Sequence, residues 1–190
     1  TQGWYDNMVA FNPFNKDVVY VGGVYVAKVS IDNTDNSYTV LQIGSGYTAN
    51  KLNTYVHPDQ HGLVCQVSTT DPTKFRMLLT NDGGVYYTDY KTNPGETQGD
   101  WIGPVSGLNT TQFYGADKKK GEDAYLGGAQ DNGSSATQTA PSSASSSFLP
   151  LLGGDGFEVI WNYKDPKKLL FGSQYNSFVV SKNGVTTTGL

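Results

Sequence analysis

The stretch His57-Pro58-Asp59-Gln60-His61-Gly62 holds both histidines of the chain, with an aspartate midway between them. On an extended backbone, alternate side chains share a face, which would align His57, Asp59 and His61. Two imidazoles and a carboxylate suit zinc or another transition metal. They equally suit acid–base chemistry, or a hydrogen-bonded polar seam with no chemistry of its own. Pro58 cannot donate to a strand ladder, so the regular strand is expected to begin near His61, with His57 in the loop before it. That weakens strict alignment, and no third histidine exists to complete a zinc site.

A second set of groups recurs along the chain as Asp-Gly turns: Asp82 in "NDGG", Asp131 in "AQDNG" and Asp155 in "GGDG", with Asp59 and Asp6 as further candidates. Carboxylates flanked by glycines can bind Ca²⁺ or another divalent cation, or contact sugar hydroxyls. The competing reading is structural, because Asp side chains also cap turns by accepting backbone N–H groups. Two of these aspartates could serve a glycosidase, which needs its carboxyl groups ~5–5.5 Å apart when retaining and ~6.5–9.5 Å when inverting. Trp4, Tyr5, Phe113, Tyr114 and Trp161 would supply a sugar-stacking platform, or else pack between sheets. Ser134 lacks the G-x-S-x-G setting of a serine hydrolase.

Composition bounds these options. The formal net charge is −4, Arg76 is the single arginine, and Lys118-Lys119-Lys120 is the one basic run. No surface is therefore available for a phosphate backbone, and nucleic acid is not an expected partner. No apolar stretch approaches the ~20 residues a membrane-spanning helix requires. Cys65 is the only cysteine, so there is no disulfide framework, and its apolar context "GLVCQV" reads as an inert thiol in a strand. The first residues, "TQGWYDNMVAF", do not begin with methionine, and the chain is read as a mature or truncated fragment.

The elements that would position these groups emerge from self-similarity. Four segments share a turn rich in Asp, Asn, Pro and Lys, then an apolar run, then small residues. Their apolar runs end at Val21, Leu79, Leu126 and Phe171, spaced 58, 47 and 45 residues apart. Helical periodicity is absent, whereas a repeat of about 45 residues with short strands fits one four-stranded propeller blade. Each turn, carrying Pro13, Pro72 or Pro166 in three of the four, should join two antiparallel strands. Trp101 is placed on an outer strand of the second blade. The serine-rich stretch 134–147 is read as a low-complexity loop. The fold class is thus all-β, a β-propeller segment of about four blade-like repeats spanning 1–190.

With those residues in view, the chain resembles the Asp-box (BNR-repeat) β-propellers, which include sialidases, sortilin-type domains and xyloglucan-hydrolysing enzymes. Ser181-Lys-Asn-Gly-Val-Thr-Thr is similar to an Asp-box turn, with Asn183 in place of the aspartate. Thr80-Asn-Asp82-Gly83-Gly84 and Ser30-Ile-Asp32-Asn33 resemble further degenerate copies. The ordered series "QGWYDNMVAFNPFNKDVVYVGG", "HPDQHGLV", "NDGGVYYT", "QFYG", "GGAQDNGS", "GGDGFEVI" resembles a group of secreted bacterial propeller proteins. The resemblance implies an extracellular or cell-surface location. It also implies a larger propeller completed by further sequence or a partner chain, since six to eight blades are usual in such relatives. Sialidases grip the substrate carboxylate with three arginines, which Arg76 alone cannot supply. The expected role is a non-catalytic binding or scaffolding module for a glycan or protein ligand. Its expected ligand residues are His57, Asp59, His61, Asp82, Asp131 and Asp155. The alternatives are a xyloglucanase-like glycoside hydrolase and a purely structural propeller in a surface assembly.

Overall fold

A computed structural model describes residues 3–47, 55–108, 111–137 and 148–185. Among the described residues, fifteen strands form four antiparallel sheets, with one short 3₁₀ turn, Gln174–Asn176. The first sheet runs β1 (Met8–Phe11), β2 (Val18–Gly22), β3 (Val26–Asp32), β4 (Ser37–Gly44), and the second β5 (Gln60–Val67), β6 (Phe75–Asn81), β7 (Gly84–Thr88), β8 (Trp101–Ile102). The third holds β9 (Gly115–Lys118), β10 (Tyr125–Ala129), β11 (Gly133–Thr137) and β12 (Phe148–Leu152). The fourth holds β13 (Val159–Trp161), β14 (Leu169–Ser173) and β15 (Ser177–Ser181). In every sheet the strands pair in sequence order, which is the up-and-down plan of a propeller blade. The first two sheets belong to one compact unit, Thr1–Asn109, and the last two to another, Thr110–Leu190.

The apolar runs of the four repeats are the second strands, β2, β6, β10 and β14. On β6, period-2 alternation buries Phe75, Met77, Leu79 and Asn81; on β2 it buries Val18 and Tyr20. In the first unit these meet Met8, Val26, Ile43, Tyr86 and Trp101 in one core. In the second, Leu126, Ala136, Val159, Trp161, Leu169 and Phe171 do the same. Each fully buried aromatic or aliphatic side chain contributes about 1.5–3 kcal/mol of transfer free energy. A polar stitch joins the outer strands of the first two sheets, where the Trp101 indole N–H donates to the Ile43 carbonyl at 2.8 Å.

The turns between first and second strands repeat one hydrogen-bond scheme three times. Asn12 Oδ1 accepts from Phe14 N and Asn15 N, Ser68 Oγ from Thr70 N and Asp71 N, and Asn162 Oδ1 from Lys164 N and Asp165 N. A backbone bond then closes each turn: Val18 N to Asn15 O, Lys74 N to Asp71 O and Lys168 N to Asp165 O, at 3.1, 3.0 and 2.9 Å. The side-chain acceptor fixes where the chain reverses, and so sets strand register.

Two expectations need adjustment. The serine-rich segment is a loop only in part, because Ser134–Thr137 belong to β11, which pairs with β10 on one side and β12 on the other; residues 138–147 lie outside the described set. The three Asp-box-like copies do not occupy one kind of hairpin. Asp32 sits between third and fourth strands and Ser181 ends a third strand, but Asp82 lies between second and third strands. Thr186 and Thr187 of the Ser181 copy lie outside the described residues.

Candidate functional site

In the first unit, the loop that leads into β5 is anchored to the β2–β3 hairpin. Asp59 N donates to Val24 O at 3.3 Å and Gln60 N to Gly23 O at 2.8 Å. Gln60 is fully buried, and its amide is the hub of the site. Its Nε2 donates to the His57 carbonyl at 2.7 Å, while its Oε1 accepts from Asn81 Nδ2 at 3.3 Å. Asn81 Oδ1 in turn accepts from Gly83 N at 3.0 Å. Loop 57–60 and hairpin 81–84 are thereby locked to each other by buried amides. Gly83 is required at its position, since a Cβ there would strike Cβ and Cγ of His57.

This frame scatters the His-Asp-His stretch. Asp59 has a φ of +62°, in the left-handed region, so strand alternation starts only after it. His57 turns back on its own loop, its Nδ1–H donating to the Pro58 carbonyl at 3.2 Å. His61, on β5, donates from Nε2 to Oδ1 of Asp82. Neither imidazole joins a cluster of three metal-ligating side chains among the described residues. The edge-to-face neighbour of His61 is Tyr5, with centroids 5.4 Å apart, and Tyr5 in turn contacts Trp4 at 5.6 Å. Trp4 is 84% exposed.

The residues that do converge are carboxylates. Asp59 and Asp82 bring carboxylate oxygens within 4.8 Å of one another. Asp6, just ahead of β1, faces Asp59; the two are 2% and 4% exposed. Both oxygens of Asp6 and Oδ1 of Asp59 are buried without a hydrogen-bond donor among the described residues. Burial first, then the Asp6 carboxylate beside it and the charge of Asp82, push Asp59 up to about 6, with His57 opposing.

The second unit builds a different arrangement from Asp131 and Asp155. Asp131 occupies the β10–β11 hairpin with φ +59°, equivalent in strand order to the hairpin of Asp82. Its backbone N–H donates to Asp155 Oδ1 at 2.9 Å, and Gln174 Nε2 donates to Asp155 Oδ2. Both oxygens of Asp155 therefore act as turn-holding acceptors. The Tyr114 hydroxyl donates to Gln130 Oε1 in the same hairpin.

The sequence marks Asp59, Asp82, Asp131 and Asp155 but not Gln60, Asn81 or Gln174; Gln60 and Asn81 carry only the signal of an amide beside an Asp, and Gln174 carries none. Trp161 leaves the aromatic platform, being buried with its indole N–H on the Pro166 carbonyl at 3.1 Å. Arg76 is engaged by Gln66 at 2.7 Å and lies over the Tyr90 ring. Burial raises the Cys65 thiol to about 11, so it is no nucleophile at neutral pH.

No family model matches this sequence, and neither does any curated relative. Among solved structures, the chain is similar to the crystal structure of an ancestral GH74 enzyme, with 14% sequence identity and a TM-score of 0.34. The likeness covers 95% of this chain and 23% of that one, so the chain spans about a quarter of that enzyme's length.

Proposed function

We propose that this chain is a non-catalytic binding module of a secreted or cell-surface β-propeller protein, with a glycan as ligand. The observation that carries the reading is the exposed Trp4–Tyr5 pair, with Tyr5 edge-to-face against His61, whose imidazole is fixed by Asp82. Such a site offers an aromatic face for a sugar ring beside a hydrogen-bonding pair for its hydroxyls. The Asp-box-like turns support the surface-propeller assignment. Asp32 Oδ1 accepts from Thr34 N at 2.8 Å, and Ser181 Oγ from Asn183 N at 3.4 Å.

The second reading is a glycoside hydrolase, favoured by the approach of Asp59 to Asp82 and by the raised Asp59, as a general acid requires. Access argues against it. At 4% exposure and facing Asp6, Asp59 presents no proton to a glycosidic oxygen. The test is affinity electrophoresis through soluble xyloglucan and mixed β-glucans, run beside a reducing-end assay. Retention that Trp4→Ala abolishes, without release of reducing ends, is expected. Sugar release that Asp82→Asn removes would replace the binding reading with the hydrolase.

A further inference from the structure

We infer that the first unit holds a calcium site built on Asp6 and Asp59. Three carboxylate oxygens, two from Asp6 and one from Asp59, are buried and meet no donor among the described residues. Buried acceptors are almost always satisfied, and two ionised carboxylates facing each other lack a donor unless they share a proton, which still leaves the other buried oxygens unmet. One divalent cation between them supplies what both lack and cancels both charges. Asp82, within 4.8 Å of Asp59, adds a third carboxylate to the surroundings.

The donor set selects the ion. All the candidate ligands are hard oxygens, and both imidazoles are turned to other partners, which disfavours zinc and copper. Ca²⁺ accepts irregular oxygen cages of six to eight ligands, whereas Mg²⁺ keeps several waters and a strict octahedron. A pair only 2% and 4% exposed leaves little room for a retained hydration shell, and so favours Ca²⁺. The backbone supports such a cage. Asp59 is held in its left-handed conformation by the bonds of its own and the next N–H to the β2–β3 hairpin, which aims its side chain toward Asp6.

The inference deepens the binding-module reading and rests on the same end of the first unit: Asp6 follows Tyr5 directly, so a bound ion would fix the segment that carries the aromatic pair. The experiment uses the full chain, freed of metal with EDTA and dialysed. Ca²⁺ is then titrated by calorimetry and followed by thermal melting, with Mg²⁺ in parallel. The expected result is a rise in melting temperature of about 5 °C at a hundredfold excess of Ca²⁺ over Kd. Asp6→Asn and Asp59→Asn should each weaken Ca²⁺ at least about tenfold, and Mg²⁺ should do little. Sensitised Tb³⁺ luminescence from Trp4 and Tyr5, displaced by Ca²⁺, tests the wild type even if a variant does not fold. A folded protein with neither a calcium-dependent shift nor displaceable Tb³⁺ emission overturns the site, as does unchanged affinity in folded Asp59→Asn. Glycan retention measured in EDTA and in Ca²⁺ separates the two claims. Retention without any calcium effect sinks only the ion, and a calcium shift without retention sinks only the glycan reading.

Discussion

Asp59→Asn should make the metal-free protein more stable at neutral pH, although it removes an aspartate from the centre of the candidate site. The native state raises this carboxyl from 3.8 to about 6. Between those values the folded chain binds more protons than the unfolded chain, so folding stability falls as pH rises and levels off above the folded value. At 1.36 kcal/mol per pH unit, the ceiling on that loss is ~3 kcal/mol, and solvent screening near the loop surface reduces it to about 1–2 kcal/mol. Asparagine is nearly the same size and tolerates the left-handed backbone at least as well, so no strain offsets the gain. In EDTA, Asp59→Asn should therefore melt several degrees above wild type at pH 7.5. The two should converge toward pH 4.5, with the wild-type curve sloping and the variant flat. Urea denaturation at four pH values in that range, monitored by far-UV circular dichroism, gives the comparison directly. Parallel profiles, or a variant less stable at pH 7.5, would refute the claim that Asp59 is charged, buried and opposed by Asp6. Saturating Ca²⁺ should invert the order and leave wild type the more stable.

Three further outcomes follow from the framework of the fold. Asn162→Ala deletes the acceptor of two turn N–H groups and should cost about 0.5–2 kcal/mol, read as a lowered urea midpoint at unchanged m. Trp101→Phe removes the indole bond to the Ile43 carbonyl and part of a buried ring, and should cost about 1–3 kcal/mol by the same measurement. Gly83→Ala forces His57 away from the hairpin and should destabilise by at least about 1 kcal/mol, with a shift of the His57 imidazole resonances as the local readout.

The blade plan was legible because its signals are local. Period-2 burial, a turn acceptor and a closing small residue lie within one stretch of sequence, and Val21, Leu79, Leu126 and Phe171 fall on equivalent second strands. Asp82 and Asp131 were legible for the same reason, since each occupies a second hairpin marked by glycine. The pairing of Asp6 with Asp59 was not, because it depends on two strand starts meeting across neighbouring sheets, and nothing local encodes that. The alternation proposed for His57, Asp59 and His61 failed at one torsion. A left-handed Asp59 resets the face on which the following side chains emerge. Gln60 escaped notice because its role lies in being completely buried, which a polar residue does not advertise.

The turn scheme repeated at Asn12, Ser68 and Asn162 bears on how such a chain comes to fold. Each of these reversals is sealed by side-chain and backbone bonds within seven consecutive residues, from Asn12 to Val18, Ser68 to Lys74 and Asn162 to Lys168. Among the described residues, each strand pairs with its sequence neighbours within its own sheet. Closing one hairpin thus demands little loop entropy and no knowledge of distant segments. A blade is assembled from reversals that close within themselves, so connections of unequal length, seen in spacings of 58 and 45 residues, leave the turn bonds of the other reversals unchanged.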